Sequence, residues 1–197
     1  MAGPAAAAPE HPLLTVPAVA PSRGEAVPWV PPPPPPESLG PDALRDEGAI
    51  VRYLETHPDR LGVESMSSPD IAKVMAQVLL RADRTFLAER LLAQASEKWK
   101  EDNDLRRSHG RVLLSLGRSD AARTLLAAVA AADPEEPSTR YLLGRAWLAA
   151  EPRTAETDAQ ALAAFERTLA LAPDYRDPDG VTAAMIRDLI ARVRTPR

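Results

Sequence analysis

The sequence predicts an all-α protein built from repeated helix pairs, and three observations favour this fold class. Hydrophobic residues make up 45% of the chain but aromatic ones only 4%, so the core must consist mainly of Ala, Leu and Val. Apolar residues from position 69 onward recur at helical spacing. Small residues recur there with a period of 34, which indicates several copies of one structural unit.

Residues 1–40 are predicted to form a disordered tail that is rich in Pro and Ala. Of the 21 prolines, 13 lie within residues 1–41, and residues 31–36 are all proline, which favours an extended polyproline II conformation. We interpret this tail as a spacer. The alternative is a ligand for a proline-binding domain, with Trp29 and Val30 as anchors.

Residues 41–68 are predicted to contain one helix followed by a linker. Pro41 and Asp42 suit the start of a helix and Pro58 its end, so the helix is placed at 41–57. Residues 62–68 are expected to be a short linker that leads into the regular part of the chain.

Amphipathic helices and short turns alternate from Ser68 onward. Ser68 can cap a helix that begins at Pro69, because the N–H that proline lacks has no partner in a first turn. The apolar pattern then predicts three helix pairs and a last helix near 178–194. The first helix shows the spacing of one buried face: Ile71, Val74, Met75, Val78, Leu79 and Ala82.

Three sets of small residues share one period. They are spaced by 34 residues: Ala76, Gly110 and Gly144, then Ala88 and Ala122, then Ala95 and Val129. The step from Pro134 to Pro173 is 39 residues, so the third copy contains five more residues than the second. We expect them within 151–158, because insertions are tolerated in loops.

Small side chains at these positions allow two helices to lie very close together. Gly110 and Ala122 are expected at the crossing within one unit, and Ala95 or Val129 at the contact with the next unit. A single pair cannot bury its apolar face, so the units must stack to form a continuous core. A large side chain such as leucine at Gly144 is therefore expected to overpack its crossing.

This arrangement resembles the tetratricopeptide repeat (TPR) family, whose helix pairs recur at about this period. In the first copy Asp83 stands where the family has its turn glycine. The resemblance implies a right-handed α–α solenoid with units 69–102, 103–136 and 137–175 and a capping helix at about 178–194. The second and third copies carry the family's small crossing residue, helix-B alanine and closing proline: Gly110, Ala122 and Pro134, then Gly144, Ala161 and Pro173.

The resemblance also implies a partner-binding groove lined by the first helix of each pair. Its positions form a polar row, largely basic, and a row of leucines. Such a groove suits an extended or helical peptide that carries carboxylates and apolar anchors, and arginine can hold a carboxylate through two hydrogen bonds. The predicted groove residues are Lys73, Gln77, Leu80, Arg107, Arg111, Leu114, Tyr141, Arg145 and Leu148.

A purely structural interpretation of these residues stays open. Exposed Lys and Arg side chains on helices are usually solvated or paired with nearby acids, and Asp70, Asp104 and Glu151 are available for pairing. The leucines of the second row can equally be covered by neighbouring helices.

Composition argues against several other functional classes. Residues 69–197 have a net charge of only +1 within a chain of net charge −4, so nucleic acid is not an expected partner. The chain has no cysteine, no phosphate-binding glycine motif and no nucleophile motif, so we expect no enzyme, cofactor or metal site. His109 stands where the repeat usually has leucine and is interpreted as a packing residue. No signal peptide or membrane-spanning segment is recognised, so a cytoplasmic location and no direct membrane insertion are expected.

Two functions fit this sequence. The first is a non-enzymatic adaptor that binds an acidic protein or peptide in the groove. The second is a structural subunit of a larger assembly, such as an envelope or secretion complex, whose groove is filled by a neighbouring subunit or by the chain's own helix at 41–57. The sequence does not determine the oligomeric state.

Overall fold

The described part of the chain is helical, and a side-chain cap opens most of its helices. The computed structural model describes residues 46–58 and 60–195; the predicted disordered tail at 1–40 lies outside this part. Within it the chain forms eight α-helices and no β-strand. The helices are α1 Glu47–Thr56, α2 Pro69–Arg81, α3 Thr85–Lys98, α4 Asn103–Ser115, α5 Ser119–Ala132, α6 Pro137–Leu148, α7 Ala155–Leu171 and α8 Ala183–Arg194.

Short polar side chains begin several of these helices. Ser68 Oγ accepts a hydrogen bond from the Asp70 N–H at 3.1 Å, with Pro69 in the first turn, as the sequence predicts. Asp102 likewise accepts from the Leu105 N–H at 2.8 Å at the start of α4. Helix α1 begins after Asp46, and the predicted start at Pro41 lies outside the described residues.

The helices pack in sequential pairs that stack along the chain. The pairs are α2 with α3, α4 with α5 and α6 with α7, and the second helix of each pair also packs on the first helix of the next. A tight turn joins the two helices within each of the first two pairs, with Asp83 at φ 58° in the first turn and Gly117 at φ 72° in the second. Asp83 therefore adopts the left-handed conformation that glycine takes one unit later. This architecture is an all-α solenoid.

Glycine sets the helix crossing in the second and third pairs. A Cβ atom built on Gly110 would lie 2.6 Å from Leu126 Cδ2, and one on Gly144 would lie 2.6 Å from Phe165 Cε1. In each pair a side chain of the second helix therefore occupies the space that a larger residue at the glycine would need. The 34-residue register read from the sequence places these glycines correctly.

The third pair departs from the period at the start of its second helix. The connection at 149–154 is longer than the turns of the first two pairs, and α7 has 17 residues where α3 and α5 have 14. The inserted residues predicted within 151–158 thus extend both the loop and the first turn of α7. Thr154 caps this helix, accepting from the Thr157 N–H at 3.2 Å.

The buried apolar side chains form two clusters. The N-terminal cluster runs from Ile50 in α1 to Val112 in α4, and the C-terminal cluster runs from Leu113 in α4 to Ile190 in α8. The segment expected to be a linker contributes to the first cluster, because a 3₁₀ helix at Val63–Ser65 buries Val63, and Met66 follows it into the core. Residues 62–68 are therefore packed structure rather than a free linker.

The last helix begins later than the sequence suggests. A turn precedes α8, closed by an isolated bridge between Arg176 and Thr182, and α8 starts at Ala183 rather than near 178. Tyr175 and Ile186 both join the C-terminal cluster. This turn also reaches the predicted groove.

Candidate functional site

The first helices of the pairs lie side by side, α2 next to α4 and α4 next to α6. A cleft of about 630 Å³ opens on this face. It brings together five of the nine predicted groove residues, and we call it the α2–α4 cleft. Its lining residues are Lys73, Ala76, Gln77, Leu80, Arg81, Leu92, Asp104, Arg107, Ser108, Arg111, Ser138, Pro178 and Asp179.

Lys73 is held by two acids at the starts of helices. Its Nζ lies 2.8 Å from Asp70 Oδ1 and 3.5 Å from Asp102 Oδ2. The hydrogen bond with Asp70 is the main reason that the pKa of Lys73 is raised above its ordinary value. Lys73 thus stays protonated at the cleft, and the two carboxylates balance its charge.

Arg107 is fixed by groups from its own helix and from α6. It pairs with Asp104, and its Nη1 donates to Thr139 Oγ1 at 3.3 Å and lies 4.0 Å from Glu136 Oε2. Asp70 and Asp104 therefore neutralise part of the basic row, as the structural interpretation expects. Glu151, the third acid considered, lies in the 149–154 loop.

Arg111 has a partner from a distant part of the chain. Its Nη1 lies 2.7 Å from Asp179 Oδ2 in the turn that precedes α8. This contact brings an acidic side chain of the protein itself into the cleft, beside Pro178.

Tyr141 differs from the sequence-based expectation of an open groove position. Its side chain is only 3% exposed, because the rings of Tyr175 and Phe165 pack against it at centroid distances of 5.6 and 6.1 Å. Burial also raises the pKa of Tyr141. Arg145 remains exposed, with its guanidinium carbon 6.0 Å from the centroid of the Tyr141 ring.

The leucine row is divided by the packing of the last helices. Leu80 is 37% exposed and lines the α2–α4 cleft. Leu114 and Leu148 are half-buried and pack against the C-terminal cluster. Leu148 lines a different cleft, of about 540 Å³, together with Leu189 and Val193 of α8. One leucine of the three is therefore available in the cleft that contains the basic row.

In the described residues, no group of three or more His, Cys, Asp or Glu side chains is arranged to hold a metal ion. None of the helices described is both long enough and apolar enough to cross a membrane.

The fold matches several solved structures. YrrB, described as a TPR protein with an unusual peptide-binding site, superposes with a TM-score of 0.52 over 66% of this chain at 22% identity. MamA from Desulfovibrio magneticus RS-1 gives a TM-score of 0.55 over 77% of this chain and 72% of its own length, at 18% identity. TTC0263, a TPR protein of Thermus thermophilus, gives 0.53 over 64% of each chain, also at 18% identity.

The chain has the tetratricopeptide-repeat fold. The match spans 60% of the length of YrrB, and these low identities support the fold and not a shared ligand. No protein-family model and no curated protein matches the sequence.

Two residues near the TPR groove were not among those that the sequence pattern indicates. Tyr175 covers Tyr141, and Asp179 pairs with Arg111. Both lie between α7 and α8, Tyr175 at the very end of the third unit and Asp179 beyond it. The run of acidic residues Asp174, Asp177 and Asp179 opposite a basic groove is the signal that could have indicated this contact.

Proposed function

We propose that this protein is a non-enzymatic interaction adaptor that binds a segment of a partner protein in the α2–α4 cleft. The TPR fold supports an adaptor or scaffold, because stacked helix pairs present extended surfaces for binding. The cleft is the observation that carries the proposal. It is open, large enough for several side chains, and combines basic side chains with the exposed Leu80.

The lining of the cleft suits a partner segment with both carboxylates and apolar side chains. Arg107 and Arg111 offer guanidinium groups that are partly buried, which strengthens their interaction with an acidic side chain. Leu80 and Ala76 offer apolar contact beside them. YrrB, which has the same fold, is described as having a peptide-binding site, so a peptide partner is compatible with this fold.

Other features of the adaptor are predictions from the sequence. We propose that the protein acts without a cofactor, that nucleic acid is not its partner and that it works in the cytoplasm. The small net charge of residues 69–197 supports the second of these statements.

The alternative function is an assembly subunit whose cleft is filled either by a neighbouring subunit or by the chain's own helix at 41–57. The described part of the helix at 41–57 packs its apolar face into the N-terminal cluster, and no residue of α1 lines the α2–α4 cleft. Occupation of the cleft by the chain's own α1 is therefore not what the structure contains. Occupation by a neighbouring subunit is an outcome that the following experiment detects.

A site-specific photocrosslinker tests the proposal. It would replace Gln77, which is exposed in the cleft, and in a matched control Gln160, which is exposed on α7. We expect an adduct with a partner protein from cells at position 77 but not at 160, and its loss when Leu80→Glu is added. An adduct with a second copy of the chain would favour the assembly subunit, and equal adducts at both positions would refute the cleft as the binding site.

A further inference from the structure

Arg111 differs from Lys73 and Arg107 in the origin of its acidic partner. Lys73 and Arg107 pair with acids in the first turns or caps of the repeat helices, namely Asp70, Asp102, Asp104 and Glu136. These contacts belong to the repeat scaffold. Asp179, the partner of Arg111, lies 68 residues further along the chain, outside the repeats.

The base of the turn that carries Asp179 is firmly held. Tyr175 is 4% exposed, and its carbonyl accepts from the Ala183 N–H at 2.9 Å. Asp177 receives the Val181 N–H on its Oδ1 at 2.8 Å and donates its own N–H to the Val181 carbonyl at 3.0 Å. These bonds keep the tip of the turn close to the cleft.

The tip of the turn, in contrast to its base, is exposed to solvent. Pro178, Asp179 and Gly180 are all exposed, and the Asp179 side chain is 56% exposed. The contact between Asp179 and Arg111 joins this tip to the cleft. Ion pairs with so much solvent around one partner contribute little free energy, so this pair can be exchanged at small cost.

We infer that Asp179 is an internal competitor for the carboxylate-binding position at Arg111, and that an aspartate or glutamate of the partner takes its place. This inference rests on the proposed function. The anchored base places Asp179 beside Arg111, while the exposed tip allows it to leave without disturbing Tyr175. A partner segment that lacks an acidic side chain would have to bind while Asp179 still occupies the position.

The size of the effect follows from this competition. If Asp179 occupies Arg111 most of the time, the apparent affinity for an acidic segment is reduced by the fraction of molecules in which Arg111 is accessible. For an exposed ion pair the reduction is about two- to fivefold. Removing the Asp179 charge should therefore tighten the binding of an acidic peptide by about this factor.

The test uses the full chain and a fluorescein-labelled hexaglutamate peptide as probe, with binding measured by fluorescence anisotropy. Asp179→Asn removes the competing charge. Asp174→Asn is the matched control, because Asp174 is exposed in the same segment and changes the net charge equally. Arg111→Gln removes the binding position. Free glutamate at the same carboxylate concentration separates binding of a peptide from a general ionic effect.

We expect Asp179→Asn to bind hexaglutamate about two- to fivefold more tightly than the unmodified chain and Asp174→Asn. Adding Arg111→Gln should abolish this gain. Equal affinity of all three chains that retain Arg111, with a loss on Arg111→Gln, would overturn the competition but leave the cleft as a carboxylate site. Binding that ignores Arg111→Gln, or no binding by any chain, would overturn the inference; the Gln77 crosslink then decides the proposed function separately.

Discussion

Gly110 and Gly144 determine how closely the helices of the second and third pairs approach each other. The nearest atoms to a Cβ at Gly144 belong to the ring of Phe165, a side chain with no exposed surface. A ring enclosed on every side cannot move away without opening the core around it. The absence of a side chain at 144 is therefore a packing requirement and not a source of flexibility.

Replacing Gly144 with leucine should overpack this crossing. We expect Gly144→Leu to lower the free energy of unfolding by about 1–3 kcal/mol, because Phe165 must leave its position. Urea unfolding monitored by circular dichroism measures the change. Ala163→Leu, on the exposed side of α7, is the control and should leave stability nearly unchanged. An unaltered midpoint for Gly144→Leu would show that the helices are not in this register.

His109 is a largely buried polar side chain of α4 that lies beside charged residues of α3 and α5. Both ring nitrogens are buried without a hydrogen-bond partner in the described part of the chain, and Nε2 lies 3.8 Å from Glu89 Oε1. Burial lowers the pKa of His109 below its ordinary value of 6.5, although Glu89 and Glu97 of α3 act in the opposite direction. Arg118, at the start of α5, faces the same group and favours the neutral ring.

This position predicts a pH dependence of stability. Because the pKa is lower in the folded state, the unfolded state binds more protons, and the free energy of unfolding should fall as the pH drops below about 6.5. His109→Leu should remove this component and stabilise the protein by about 1 kcal/mol at neutral pH, since two unsatisfied polar atoms are lost. Thermal unfolding across this pH range measures both effects.

The control for His109 is His57→Gln, which changes a histidine that packs on Tyr53 at the end of α1. This variant should keep the pH dependence of the unmodified chain. If His109→Leu shows the same slope of stability with pH as the unmodified chain, another group titrates, and the assignment to His109 is wrong.

At the scale of elements, Lys98 connects α3 with the short 3₁₀ helix. Its Nζ donates to the carbonyl oxygens of Val63, Glu64 and Met66, each at 2.9 Å. The Val63 carbonyl also accepts the Met66 N–H at 3.2 Å, and the ammonium group bonds three carbonyls of this segment at once. The segment between α1 and α2 is fixed against the core in this way.

Removing that ammonium group should loosen the segment. We expect Lys98→Met to lower the free energy of unfolding by about 1–3 kcal/mol, because hydrogen bonds from a charged donor are lost. Amide exchange at Ser65 and Met66 should accelerate, because their N–H groups close this turn. Lys100→Met is the control, since Lys100 makes only an exposed ion pair with Glu97 at 3.6 Å among the described residues. Equal effects of both substitutions would contradict the role of Lys98.

The sequence predicts the paired helices well because the same pattern of apolar and small residues recurs in each pair. Local requirements explain four residues of these helix pairs. Capping favours Ser68, a left-handed turn favours Gly117, and close packing requires Gly110 and Gly144. The segment at 62–68 was harder to predict. Val63 and Met66 are buried in the N-terminal cluster, and their carbonyls are bonded by Lys98, more than 30 residues away in the sequence.

The candidate site was predictable for its position but not for its accessibility. Lys73, Arg107 and Arg111, which the repeat register aligns, line one cleft. The register cannot show that Tyr141 is covered, because the covering residue, Tyr175, follows the last helix of the three pairs. Periodicity describes contacts between repeats, whereas the turn before α8 depends on a unique tertiary contact.

At the scale of the whole molecule, the solenoid contains two apolar clusters that meet in α4. Val112 belongs to the N-terminal cluster and the adjacent Leu113 to the C-terminal cluster. In a stacked repeat fold each unit contacts mainly its neighbours, so stability is distributed along the chain. The two ends are therefore expected to open with different free energies.

The same small substitution at each end tests this expectation. Ile50 in α1 and Ile186 in α8 are both nearly inaccessible, and each belongs to a different cluster. Ile50→Val and Ile186→Val should each cost about 0.5–1.5 kcal/mol. In native-state hydrogen exchange, Ile50→Val should accelerate exchange chiefly in α1–α3 and Ile186→Val chiefly in α6–α8. If both variants accelerated exchange equally at both ends, α4 would couple the clusters into one cooperative unit, and binding in the cleft beside it would stabilise the whole solenoid rather than one end.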